Sequence, residues 1–177
     1  FERVLRTREI RIEGVSIDGV AKVNIATTDI EHAIRDTEVI FVITPAFGHR
    51  TMAEVCAPFV QDGQIILLMP GSGGTLEFVK IFKERKVGKE IIFAESCTLP
   101  YGARLKAPGH VSIFIHALIL PTGVFPSKKT REVIPRLKRY YSTITPAKDV
   151  LEAAINNPNP IVHPVATLLS ATRIEHS

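Results

Sequence analysis

"VIFVITPAFGHRTMAEVCAPFVQDGQIILLMPGSGGTLEF", residues 39–78, is the stretch that decides the fold. It opens with a β-branched apolar run, 39–45, of the kind found in strands buried on both faces. A helical pattern follows over 49–60, "HRTMAEVCAPFV", which predicts Met52, Val55, Cys56 and Phe59 on one inward face. Gln61-Asp62-Gly63 marks a turn, and "QIILLMP", 64–70, is a second apolar run. After "GSGG" the helical pattern returns in "TLEFVKIFKERK", with Leu76, Val79 and Phe82 predicted inward, and "EIIFAES", 90–96, reads as a third strand. Strand, helix, strand, helix, strand with short links is the signature of a parallel α/β sheet. Ligands bind such sheets beyond the carboxyl ends of the strands. Those ends here are "TPAFGHR", "PGSGG" and "ESCTLPYGAR".

Upstream, residues 9–26 alternate apolar and polar, which predicts a small antiparallel hairpin or meander with Asp18-Gly19 as its tight turn. Thr28 is the expected N-cap of a short helix over "TTDIEHAIRDTE". Downstream, residues 94–110 read as a long loop, "GHVSIFIHALILPTG" as one or two further strands, and 127–141 as an amphipathic basic helix with Val133, Ile134, Leu137 and Tyr141 inward. "STITPA" is a short last strand, and the pattern is helical from Lys148 on. The fold class is therefore α/β: a Rossmann-like parallel sheet over residues 1–147, followed by the start of an all-α domain over 148–177.

The bulk properties fit a globular chain: 45% hydrophobic and 23% charged residues. A net charge of +4 and a pI near 9.2 suit anionic ligands such as phosphates and are too small to imply nucleic acid. Cys56 and Cys97 form no C-x-x-C pair, so structural zinc is not expected, and two thiols suit a reducing cytoplasm. No run reaches the roughly 18 apolar residues of a membrane span. "VSIFIHALILP" and "QIILLMP" read as buried strands instead. The chain begins at Phe1 with no initiator Met and no signal-peptide pattern, which suggests a piece of something longer.

Each candidate site has a plainer reading beside it. In "MPGSGGTLEF", backbone N–H groups at a helix start can cradle a phosphate or carboxylate; the alternative is a tight turn that needs glycine. In "TPAFGHR", Pro45-Ala46 is small and rigid enough for a flat ligand to approach, whereas Phe47 also suits capping of the core and His49 a place in the first helical turn. Cys97 suits a nucleophile only if a histidine supports it, and otherwise an inert packed thiol. Helix 127–141 carries Lys128, Lys129, Arg131, Arg136, Lys138 and Arg139, which reads as a solvated face. In "NNPNPIVHPVATLL", 156–169, Asn159 as N-cap and Pro160 at the first helical position would put His163 one turn on, over Asn159. A rival register starts the helix at Pro164 and leaves both in a loop. Histidine suits acid–base work near neutral pH, although an isolated one is commonly structural.

Taken in order, "VIFVITPAFGHRTMAEVCAPFVQDGQIILLMPGSGGTLEF", "AESCTLPYGAR" and "NPIVHP" resemble the NAD(P)-dependent opine (octopine/nopaline) dehydrogenase family over most of residues 38–165. The resemblance implies a Rossmann-type domain for the dinucleotide, NAD or NADP, and a helical domain that closes over two small-molecule substrates, an amino acid and an α-keto acid such as pyruvate. Their condensation yields an imine that NAD(P)H reduces. By this likeness His163 is the proton donor and acceptor, and Asn159 its substrate-positioning partner. Thr44, Pro45, Ala46, Phe47, His49, Gly71 and Ser72 form the cofactor wall, and Cys97 and Thr98 lie near the keto acid. No metal, nucleic acid or membrane partner is implied; a homodimer is expected only on the general ground that closed homo-oligomers are common. The sequence departs from the family in having no G-x-G-x-x-G fingerprint and in ending before most of a helical domain, so the 177 residues alone are not expected to bind the dinucleotide tightly or to turn over. Two other readings stand beside this one. The first is a ketopantoate-reductase-like or glycerol-3-phosphate-dehydrogenase-like enzyme, which would use a lysine in place of His163. The second is a non-catalytic α/β ligand-binding module.

Overall fold

At the centre lies the run Ile65–Leu68, four apolar side chains with no exposed surface, which only a strand covered on both faces can hold. Burying each such side chain stabilises the fold by about 1.5–3 kcal/mol. A computed structural model of the chain describes residues 2–15 and 18–174. In chain order it holds helix α1 (Glu2–Thr7), strands β1 (Glu9–Gly14) and β2 (Gly19–Lys22), helix α2 (Ile30–Ile34), β3 (Val39–Val42), α3 (His49–Cys56), β4 (Ile65–Leu68), α4 (Gly74–Glu84) and β5 (Ile92–Ser96). Then come β6 (Tyr101–Ala107), β7 (His110–His116), β8 (Leu120–Phe125), α5 (Thr130–Lys138), β9 (Ile144–Pro146), α6 (Val150–Ile155), α7 (Asn159–Leu169) and α8 (Ala171–Ile174).

The main sheet has the order β3-β4-β5-β8-β9, with β3, β4 and β5 parallel as expected. Strand β8 runs antiparallel to β5, and β9 parallel to β8, so the sheet is mixed at one side. One face packs Ile66, Leu68 and Phe93 against Ala53 and Cys56 of α3 and Phe78, Ile81 and Phe82 of α4. The other packs Ile65, Leu67 and Ala94 against Val133, Ile134 and Leu137 of α5. Glu38 ties the start of β3 to α5 by accepting from Arg136 Nε at 2.8 Å and by pairing with Arg139.

Several expectations are corrected. Residues 101–107, read as loop, are strand β6, paired with β7. Strand β7 is not buried core: it joins a separate sheet of order β2-β1-β7-β6, where Phe114 and Ile115 are exposed. The hairpin partners β1 and β2 are antiparallel as expected; Ser16 and Ile17 of their link lie outside the described residues, as do Phe1 and the end of the chain, 175–177. The cap of α2 is Asp29, one residue after Thr28, and its carboxylate accepts from His32 N. Val55 and Phe59 near α3, and Leu76 on α4, are exposed; Cys56 and Phe82 are buried as expected, and Ala53 on α3 and Thr75, Phe78 and Ile81 on α4 also face inward. Helix α6 packs on β8 where a Cβ on Gly123 would lie 2.2 Å from the Asp149 carbonyl oxygen, and Val150 and Ala153 are buried there.

Candidate active site

The carboxyl ends of β3, β4 and β5 lie side by side, so the segments that follow them share one edge of the sheet. Beyond β3, Pro45, Ala46 and Phe47 are exposed, Phe47 at 89%, and Thr44 is half-buried with its hydroxyl oxygen buried and without a hydrogen-bond partner. This is an open, apolar, rigid shelf with one unsatisfied hydroxyl at its base.

His49 does not belong to that shelf. It is 1% exposed, and its ring lies so near α4 that a Cβ on Gly74 would sit 2.2 Å from Nδ1. Its position in the first turn of α3 points it under the β4–α4 turn, where Nε2 has no partner. Burial holds the ring below its ordinary pKa of 6.5, while the Thr44 backbone and the carboxylates of Glu95 and Glu77 pull the other way. As a wall residue for a cofactor the side chain is out of reach; it packs the shelf from beneath.

The Gly-rich turn beyond β4 carries a second correction. Helix α4 has the free N–H groups expected of a helix start, but an internal carboxylate takes them. Glu95, fully buried in β5, accepts from Gly73 N through one oxygen and from Thr75 N through the other, both at 3.0 Å. A buried charge needs such partners, and a helix start supplies them. No phosphate is needed to satisfy this turn. Gly71 is buried, its N–H donating to the Ser96 carbonyl at 3.0 Å, while Ser72 is exposed with φ +49°. A fingerprint search misses Glu95; its signal is a lone acid inside an apolar strand, opposite a turn rich in glycine.

Beyond β5, Cys97 is buried, and burial pushes its thiol above the ordinary value of 9.0, which disfavours the thiolate a nucleophile needs. Thr98 is half-buried, and its hydroxyl accepts from Asn159 Nδ2 at 3.5 Å.

The proline-rich joint thus meets the sheet edge. Helix α7 begins at Asn159, with Pro158 as its cap residue and Pro164 inside it, so the register that starts at Pro164 is excluded. Asn159 is the first helical residue and not the cap. His163 stands one turn on, on the same face, and its side chain is exposed. Asn157, absent from the sequence candidates, is buried: its Nδ2 donates to Ser72 Oγ at 3.1 Å and its Oδ1 accepts from Asn159 N at 3.0 Å. The structure therefore brings Asn159, Thr98 and Ser72 together at the edge of β4 and β5. Among the described residues there is no cluster of side chains able to hold a metal ion, and no helix is long and apolar enough to cross a membrane.

For a dinucleotide, the fit is partial. The shelf of Thr44 to Phe47 and the exposed Ser72 suit a flat ring at the sheet edge. The first amides of α4 are taken, Thr75 N by Glu95 and Gly74 N and Leu76 N by the Gly71 and Gly73 carbonyls, and do not suit its phosphates.

No model of a known protein family matches the chain. In sequence the chain resembles the opine dehydrogenases. That of Arthrobacter sp. (strain 1C) is 30% identical over 164 residues, covering 92% of this chain and 45% of the relative. That of Haliotis discus hannai is 26% identical over 181 residues, covering 93% and 44%. The chain thus spans a little under half the length of the curated relatives it matches. A solved octopine dehydrogenase with NADH and L-arginine superposes with a TM-score of 0.76 at 23% identity, over 93% of this chain and 43% of that one, which establishes the Rossmann-type fold. A ketopantoate reductase from Ralstonia eutropha is more distant, with a TM-score of 0.57 at 14% identity over 82% of this chain and 45% of that one.

Proposed function

We propose that this chain, whose curated relatives are opine dehydrogenases, is the central part of an NAD(P)H-dependent reductase that joins an amino acid to an α-keto acid such as pyruvate and reduces the resulting imine. The observation that carries the reading is the docking of the α7 start on the β4–β5 edge, because it brings a histidine helix to the place where α/β sheets bind ligands. Thr44 to Phe47 form the wall for the cofactor ring, and the Gly71–Ser72 turn sets its floor. Bound NAD(P)H supplies the hydride. His163 then holds the proton that the reduced nitrogen takes up, or, in the reverse direction, receives it. Asn159 orients the substrate one helix turn away, and Thr98 holds the Asn159 amide in place. Cys97 packs beneath the keto-acid position as a neutral thiol.

A ketopantoate-reductase-like chemistry has less support, since it would need a lysine where His163 stands. We put the start of the helical unit at Asn157 and not near residue 147; the burial of Val150 and Ala153 against the sheet supports that shift. A homodimer and a cytoplasmic location, the latter from two unpaired thiols, complete the reading.

The test is NAD(P)H oxidation by the full-length protein with pyruvate, with and without each amino acid. Turnover that requires both substrates supports the reading. Turnover with the keto acid alone points to a simple ketone reductase, and none with any pair sinks the proposal.

A further inference from the structure

We infer that Asn157 is a positioning residue that latches helix α7, and with it His163, to the turn beyond β4; this rests on the proposed role of His163. Asn157 is buried between exposed neighbours, Asn156 and Pro158. Both ends of its amide are used. Oδ1 accepts from Asn159 N at 3.0 Å, an ordinary local turn that stabilises a helix start. The other bond has no such local purpose: Nδ2 donates at 3.1 Å to Ser72 Oγ, 85 residues away.

The far end of this bond is rigid. Ser72 sits in the left-handed region with φ +49°, and its neighbours are held from β5: Gly71 N donates to the Ser96 carbonyl and Gly73 N to Glu95, each at 3.0 Å. Inside this chain the near end has no packing to hold it, for α7 has no buried residue among those described. Inside this chain its orientation comes from what fixes its first turn. Here that is the Asn157–Ser72 bond, with the longer Asn159–Thr98 contact at 3.5 Å beside it. A reacting group displaced by about 1 Å loses up to about a hundredfold in rate.

The experiment uses the full-length protein with Asn157→Ala, Asn157→Asp, Ser72→Ala and the Asn157→Ala/Ser72→Ala double variant. Aspartate keeps the local acceptor, and its second oxygen accepts from the Ser72 hydroxyl. The expected result is that Asn157→Ala lowers kcat by about fivefold or more with the NADH Kd within about threefold. Asn157→Asp restores kcat to within about twofold, and in the Ser72→Ala background Asn157→Ala costs less than about twofold. The inference is overturned if Asn157→Ala changes kcat by less, if its full loss persists without the Ser72 hydroxyl, or if aspartate does not rescue, since a merely local cap ignores Ser72. If the wild-type protein turns over no substrate pair, the functional reading fails on its own. Hydrogen exchange at the Asn159 amide of this chain then decides the latch: faster exchange in both Asn157→Ala and Ser72→Ala supports it, and unchanged exchange in Ser72→Ala overturns it.

Discussion

Thr75 donates its backbone N–H to Glu95 at 3.0 Å, so the first turn of α4 is closed by a carboxylate that comes from the next strand of the sheet. The second oxygen of Glu95 takes the Gly73 N–H, and the acid is fully buried. Glu95→Gln therefore replaces one acceptor by an amide N–H that faces another N–H. Charge-assisted bonds of this kind contribute about 1.5–3 kcal/mol each, and a buried unpaired donor adds its own cost. We expect a loss of about 2–4 kcal/mol in urea denaturation. A change within about 0.5 kcal/mol would mean that water, not the carboxylate, satisfies the turn.

Gly74, at the start of α4, lies against His49 at the start of α3. A Cβ there would stand 2.2 Å from His49 Nδ1 and 2.7 Å from Leu68 Cδ2. The ring is buried and has no free path away, so Gly74→Ala should cost about 1–3 kcal/mol through overpacking. His49→Ala removes the two ring contacts and leaves only the one with Leu68 Cδ2. The cost of Gly74→Ala should then fall well below its value in the wild type, which a double-mutant cycle on thermal or urea midpoints reads directly.

His49 also predicts a pH dependence. Burial holds it below 6.5, so the folded state binds fewer protons than the unfolded one. The neutral ring contributes its full stability above pH 6.5, and that stability is lost as the pH falls from 6.5 toward the lowered folded value. His49→Gln has no such titration. The stability gap between wild type and this variant should therefore shift in favour of the variant as the pH drops through that window. A gap that stays constant with pH would show that the ring is not desolvated.

The two thiols give a chemical check on burial. Burial pushes Cys56 to about 11 and raises Cys97, so neither is a thiolate at neutral pH. In the native chain both should react with a disulfide reagent about a hundredfold or more slowly than in urea. Rapid modification of Cys97 alone would reopen its reading as a nucleophile.

How far the sequence led depended on how local the signal was. The runs that became β3 and β4 are uniformly apolar, and β5 is apolar up to Glu95, so all three read as buried strands with no knowledge of their neighbours. Helix faces were harder: the apolar side of α3 holds Met52, Ala53, Val55 and Cys56, and the part that packs on the sheet centres on Ala53 and Cys56, small enough to sit flush, leaving Val55 and Phe59 outside. Glu95 stands out in the sequence only as an acid beside Cys97 and Thr98, without its role, and Asn157 does not stand out at all. Each is a polar residue whose partners, Gly73, Thr75 and Ser72, are brought to it only by the sheet register and the return of the chain. The expected anion site was real as a helix start, and the chain fills it itself.

His163 separates stability from chemistry. It lies exposed on α7, a helix with no buried residue among those described. His163→Ala removes no packing, and alanine has the highest helix propensity, so the stability of this chain should change by less than about 0.5 kcal/mol. A proton donor at the reacting nitrogen is a different matter: acid–base catalysis contributes about 10²–10⁴-fold. In the full-length protein His163→Ala should therefore lower kcat by about a hundredfold or more. A loss confined within about threefold would remove His163 from the chemistry and leave it a surface residue of the joint. Equal losses in stability and activity would instead mean that a neighbouring part of the full-length protein packs against it, and the role would pass from proton transfer to support.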